Sequence, residues 1–376
     1  MDLKKKIAVI YLGRKGGGPV YAYEMTKGLI ENGCEVYLFI SAYVENLENF
    51  KTLNTCNTEI IKTYKGIFSF LTNTVFFRFF GYPALKKKYK NLSVDACYIP
   101  MEQPWDRYIV NVLNNPQKIV TVHDPIRHSS NNSSDKMLTK AVSVLNWGIY
   151  DKKPDDYVIL SKYFFDHMVK SRGVAKERVH VIPHCVFDFY DKAKTTESFP
   201  YDGNLVNFLF FGRIDKYKGL EFLAEAFKKF YEVNDKATLT IVGSGDFSVY
   251  KEKYAGVPNL TVINRWIADG EVASFFVKNK NVILVLPYID ATQSGVIPIA
   301  MSSEIPVIAS NTGGLAEQII DNETGYLVEP ANVESLFEKM KDVSEKDNRM
   351  IVKNAKDYIS KLTGYELSKK IIEIID

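Results

Sequence analysis

The chain has 376 residues, 46% hydrophobic and 25% charged, the balance of an ordinary globular protein of about two domains. Its 48 Lys and Arg against 45 Asp and Glu leave a net charge of +3, too small to point to nucleic acid. Cys34, Cys56, Cys97 and Cys185 form no CxxC pair, so no zinc knuckle or redox motif is visible and a reducing compartment is expected.

The first six residues run straight into Ile7–Leu12, an apolar run too short for a signal peptide. No stretch reaches the roughly 18 apolar residues of a membrane span, so a cytoplasmic protein is expected. Ile7–Leu12 reads as a strand, and Gly16-Gly17-Gly18-Pro19 as a turn. A helix over Val20–Asn32 puts Ala22, Met25, Leu29 and Ile30 on one face, with Gly33 as its C-cap glycine. Glu35–Ile40 is the next strand, which makes a βαβ unit and a parallel sheet. Further buried strands are expected at Ala96–Ile99, Ile119–Val122 and Tyr157–Leu160. The polar, turn-rich stretch Asp188–Asn204 reads as an interdomain linker region. A second alternating series follows: strand Asn207–Phe211, helix Leu220–Tyr231, strand Thr238–Val242, strand Val282–Leu286, helix Gly295–Met301 and strand Pro306–Ala309. From Val333 to Ile375 the pattern is mostly helical. The expected class is α/β, with two Rossmann-like, doubly wound domains over residues 1–187 and 188–360 and a final helix, 361–376, packing back on the first. Ligands of such sheets bind at the carboxyl ends of the strands.

Four loops after strands of the second half carry glycine. Gly212-Arg213 through Lys218-Gly219 reads equally as a diphosphate site at a helix N-terminus or as a solvated basic turn. Gly243-Ser244-Gly245-Asp246 alone is a tight turn. Gln293-Ser294-Gly295-Val296 could present backbone amides to phosphate, with Ser294 as the N-cap. Gly313-Gly314 through Glu317 completes the set.

In this order, with Pro306–Ala309 and Thr324–Val328, these motifs resemble the donor-binding half of family 4 glycosyltransferases over residues 206–340. The amino-terminal half is similar more loosely, through Gly16–Gly18, Thr121-Val122-His123-Asp124 and Val181-Ile182-Pro183-His184. The resemblance implies a GT-B fold, with an acceptor-binding domain first and a nucleotide-sugar-binding domain second facing a central cleft. It implies no cofactor, no metal and retention at the anomeric carbon. It assigns Arg213 and Lys218 to the donor diphosphate and its departing charge, and His123 to the sugar. Gly17 and Gly18 would let their loop approach the donor. Gly243, Ser244, Gln293, Ser294, Gly295, Val296 and Glu317 fall among the donor contacts, and Arg265, Trp266 and Ile267 line the base pocket. One departure stands out: the two glutamates the family spaces E-x7-E fall here on Ala291 and Ile299.

No Asp-x-Asp, HExxH or Walker A pattern occurs, and Gly13–Gly18 lacks the GxGxxG of a dinucleotide site. Residues 66–90 combine Phe68, Phe70, Phe76, Phe77, Phe79, Phe80 and Tyr82 with Lys86, Lys87, Lys88 and Lys90. They read as an amphipathic element at the inner face of the cell membrane, or as a core helix with a solvated basic end. The leading functional expectation is transfer from a UDP-sugar, ahead of a GDP-sugar, to a glycan or lipid-linked acceptor in cell-surface polysaccharide or glycolipid synthesis. The alternative is a non-catalytic GT-B subunit that binds a nucleotide or a partner transferase; a sugar-nucleotide epimerase is a third option.

Overall fold

The computed structural model describes residues 4–113, 116–126, 151–187 and 197–375. They form two compact units. One holds the described residues through Leu160, with Phe164–Cys185 and those from Thr363 on; the other holds Ser161–Tyr163 and Val186–Leu362.

The first unit is built on seven parallel strands: β1 (Lys6–Tyr11), β2 (Glu35–Ser41), β3 (Asn57–Ile61), β4 (Ala96–Ile99), β5 (Gln117–Val122), β6 (Asp156–Ile159) and β7 (Val179–Val181). Their order is β3-β2-β1-β4-β5-β6-β7. The central strands are continuous apolar runs because a parallel sheet is covered on both faces; β1 is buried from Ile7 to Tyr11 and β4 throughout. The second unit has six parallel strands: β8 (Val206–Phe211), β9 (Ala237–Gly243), β10 (Leu260–Asn264), β11 (Val282–Leu286), β12 (Val307–Ser310) and β13 (Tyr326–Val328). They are ordered β10-β9-β8-β11-β12-β13. Both sheets are therefore doubly wound.

The main helices are α1 (Gly17–Glu31), α2 (Ile67–Phe76), α3 (Tyr82–Tyr89), α4 (Asp106–Val112), α5 (Leu220–Val233), α6 (Val296–Ser302), α7 (Val333–Glu345), α8 (Arg349–Ile359) and α9 (Gly364–Ile374). The helix expected from Val20 starts three residues earlier, inside the glycine turn. Pro19 is tolerated there because first-turn amides have no intrahelical partner. At its other end Gly33 and Cys34 donate to the carbonyls of Ile30 and Leu29 at 2.9 and 3.1 Å, a Schellman closure. Of the expected linker, residues 188–196 lie outside the described residues. Beyond them the stretch is mostly exposed, and Phe199 and Tyr201 anchor it by packing against Phe275 and each other.

α9 packs on α1 within the first unit, and the contact is close. A Cβ on Gly28 would stand 2.1 Å from the Gly364 carbonyl oxygen, and one on Gly364 would stand 2.2 Å from that of Glu24. Asn32 Nδ2 donates to the Tyr365 carbonyl at 2.8 Å, and Gln117 Nε2 to that of Ile374 at 2.9 Å. Leu367 and Ile371 are buried. The second core centres on Phe208, Phe210, Phe227 and Phe230 between β8 and α5.

Candidate functional site

Strand order reverses once in each sheet, between β1 and β4 and between β8 and β11. Ligands of doubly wound sheets bind outside the carboxyl ends of the strands at such a reversal.

At the second reversal, five loops are hydrogen-bonded to one another in the order of their strands. Between β8 and β9, Ile214 donates to the Ser244 carbonyl at 2.9 Å, and a Cβ on Gly243 would lie 1.7 Å from the Gly212 oxygen. Between β8 and β11, Ile289 donates to the Tyr217 carbonyl at 2.8 Å. Here Gly219 is left-handed (φ 65°) and a Cβ would meet the Pro287 oxygen at 1.9 Å. At the β10 side, the Asn264 side chain bonds both the amide and the carbonyl of Gly245, at 3.2 and 3.1 Å. At the β12 side, Gly314 donates to the Ala291 carbonyl at 3.1 Å. The four glycine loops read from the sequence thus form one rim, joined to Arg265–Ile267.

Two cations stand on this rim. Arg213 is exposed and makes no hydrogen bond or ion pair with a described residue. Lys218, only 9% exposed, ends a tight turn whose first amide bonds the Asp215 side chain. Its ammonium lies 3.5 Å from the centroid of the Tyr288 ring and 4.6 Å from that of Tyr217. Trp266 is exposed and Ile267 buried beside it at the end of β10.

Three expected roles change. Ser294 does not offer its amide: Gln318 clamps it, accepting from the Ser294 N–H at 2.8 Å and donating to the Ser294 carbonyl at 3.0 Å. The N-cap of α6 is Gly295 rather than Ser294, whose Oγ instead accepts from the Val296 amide at 3.3 Å. Gln293 and Gly295 sit in the same loop. Glu317 uses both carboxylate oxygens on the consecutive amides of Lys162 and Tyr163, each at 2.7 Å. The positions of the absent glutamates, Ala291 and Ile299, are buried apolar side chains.

At the first reversal, Gly17 and Gly18 open α1. The space a Cβ on Gly18 would take is filled by the Tyr11 hydroxyl and the Met101 sulfur, at 2.6 and 3.0 Å. His123 follows β5; its Nε2 donates to the Pro100 carbonyl at 2.8 Å, and its ring meets Tyr21 edge-on at 4.9 Å. Burial lowers its pKa, while that hydrogen bond opposes the shift. The ring is therefore neutral at pH 7, with its lone pair on Nδ1. His184 lies 5.4 Å from Tyr21 and 6.5 Å from His123, centroid to centroid. The sequence does not single out Tyr21, Tyr288 or Gln318 as site residues; for Tyr288 the available signal is its position two residues after a buried strand.

Residues 15–187 match the family described as Glycosyltransferase Family 4, and residues 206–346 the family described as Glycosyl transferases group 1. An uncharacterised glycosyltransferase of Methanocaldococcus jannaschii is 25% identical over 85% of this chain and 83% of its own. An uncharacterised protein of the Klebsiella pneumoniae cps region is 26% identical over 50% of this chain, and the match spans about half (52%) of that relative. The lipopolysaccharide 1,2-N-acetylglucosaminetransferase of Salmonella typhimurium is 25% identical over 42% of this chain and 44% of its own. Among solved structures, a glycosyltransferase of Rickettsia africae superposes with a TM-score of 0.67 at 20% identity, covering 99% of this chain and 98% of that one. HepE of Anabaena, solved with UDP-glucose, does so with a TM-score of 0.65 at 15% identity, covering 98% of both chains.

Proposed function

The chain belongs to the family 4 glycosyltransferases and has their GT-B fold, and from that premise we propose that it moves a sugar from a UDP-sugar, in preference to a GDP-sugar, to a glycan or lipid-linked acceptor of cell-surface polysaccharide or glycolipid assembly. The observation that carries this reading is the rim at the β8–β11 reversal, where Arg213 stands exposed, with no counter-charge among the described residues, in the same loop as Lys218. A guanidinium grips a phosphate through two parallel hydrogen bonds, and an ammonium adds a point charge. Negative charge grows on the diphosphate as the glycosidic bond breaks, so two fixed cations stabilise the transition state more than the ground state. No metal is needed for this step. Gly243 and Ser244 wall the pocket, Trp266 and Ile267 take the base, and Gln293, Gly295 and Val296 approach the phosphates. Neutral His123 accepts from a hydroxyl of the transferred sugar, and Gly17 and Gly18 keep their loop low enough for the donor. Transfer proceeds with retention.

Buried Ala291 and Ile299 favour a second reading, a subunit that binds nucleotide without catalysis. Thermal unfolding with UDP, GDP, ADP, CMP or dTDP, without added metal, separates the two. Ligand at about 100 Kd adds roughly 2.7 kcal/mol to the native state, and Arg213→Ala/Lys218→Met should cancel the shift. A UDP shift followed by transfer from a UDP-sugar supports the enzyme. A shift with no turnover supports the binding subunit, and an undiminished shift in the double variant moves the site elsewhere.

A further inference from the structure

Residues 67–89 follow one unbroken helical path: α2, a π-turn over Phe77–Gly81, then α3. The buried positions are Phe70, Thr74, Phe77, Leu85 and Tyr89. From Phe77 to Leu85 is eight residue steps, which in a regular α-helix overshoot two turns by roughly 80°. The π-turn, with its wider hydrogen-bond span, takes up that excess. The inward stripe therefore stays inward along the whole path, with Phe77 stacked on Trp105 at 4.6 Å.

The same phasing keeps the opposite stripe outward. Phe68, Phe76, Phe79 and Phe80 are 81%, 66%, 65% and 64% exposed, and Phe76 and Phe80 pair ring to ring at 4.9 Å. Leu71 and Val75 extend the patch. Exposed apolar groups scattered singly need no explanation, but a contiguous aromatic patch on one helix does. Charge says what covers it. From residue 60 to residue 94 there is no Asp or Glu, while Arg78, Lys86, Lys87 and Lys90 lie in or next to the stripe. Lys88 is set apart by its pairing with Glu59. Against a second copy of the chain, this carboxylate-free rim would meet its own charge. Against an anionic bilayer, the rings enter the headgroup–acyl boundary and the cations rest on phosphates. No helix among the described residues is long and apolar enough to cross.

The geometry points to an anionic lipid surface as the partner of this stripe, with the helical path lying in the plane of the interface. The inference is independent of the nucleotide-sugar reading, since it uses no residue of the rim.

The test is co-sedimentation of the full chain with phosphatidylcholine vesicles, with and without phosphatidylglycerol. Binding is expected to the anionic vesicles and to fade as salt rises. Lys86→Gln/Lys87→Gln/Lys90→Gln should weaken it roughly 100-fold. Phe76→Ser/Phe79→Ser/Phe80→Ser should abolish it. All six side chains are exposed, so the variants should melt with the wild type, which checks that they fold. Three results overturn the assignment: no sedimentation of the wild type with anionic vesicles, equal binding by both variants, or a wild-type dimer lost in the Phe variant without vesicle binding.

Discussion

The Lys218 ammonium lies nine-tenths buried on the faces of Tyr288 and Tyr217. A cation over an aromatic face recovers about 0.5–2 kcal/mol, which helps to hold the ammonium in place. Lys218→Met keeps the apolar stem and removes the charge; kcat/KM for transfer should fall about 10²–10³-fold with little change in Tm. Glu317 calls for the opposite outcome. Its two amide bonds make it a positioning residue, so Glu317→Gln should cost about 0.5–1.5 kcal/mol of stability, read by denaturant unfolding, and leave donor KM unchanged. A raised KM at unchanged stability would return Glu317 to the donor contacts. His184 gives a pH signature. Burial, opposed by the Cys185 carbonyl that accepts from Nδ1 and helped by nearby His123, lowers its pKa from 6.5 to about 4. The unfolded chain then binds the extra proton as pH falls. This contribution is complete above pH 6.5, is lost on the way down to pH 4, and amounts to about 3 kcal/mol. His184→Asn should flatten the slope of unfolding free energy over that window; equal slopes would mean the ring is already charged in the fold. Arg213 and Lys218 stand out in the sequence because a glycine, a cation and a strand end lie within eight residues. Gln318 was not, because its bond to Ser294 spans 24 residues and exists only where β11 and β12 lie side by side.

Among the elements, the strands read from sequence are those buried on both faces, where the pattern is an unbroken apolar run. β3, β7, β10 and β13 are not among them, and these four are the edges of the two sheets. Asn57-Thr58-Glu59 opens β3 with polar residues, and β10 ends on Asn264, since an edge keeps one side near water. The π-turn was equally hidden, because residues 77–81 have no turn-forming signature apart from Gly81. Its packing is testable through Phe77, whose ring is held by Trp105 and Tyr108. Phe77→Ala should cost about 3–5 kcal/mol in denaturant unfolding. A loss below about 1 kcal/mol would mean that the site collapses around the missing ring and the phasing does not depend on it.

For the whole molecule, the fold class followed from strand–helix alternation, which survives errors of one to three residues at element ends. The final helix is the feature that links distant sequence. α8 ends at Ile359 in one unit, and five residues later α9 begins in the other. Ile371→Ala should therefore lower amide protection in α1, more than 300 residues away in sequence, and leave α8 protected. Loss of protection confined to α8 would contradict the division into units.

That return of the chain has a consequence for biosynthesis. The α1 surface that Gly28 presents cannot be covered until α9 has left the ribosome, and the whole of Val186–Leu362 is translated before it. At 5–20 residues per second this leaves a gap of roughly 10–40 s. During that interval the first sheet can form but its α1 face stays open, so the nascent chain is a client for chaperones longer than a strictly sequential two-domain protein. Ribosomes stalled within the second unit would release a first unit that is folded in outline and still adhesive.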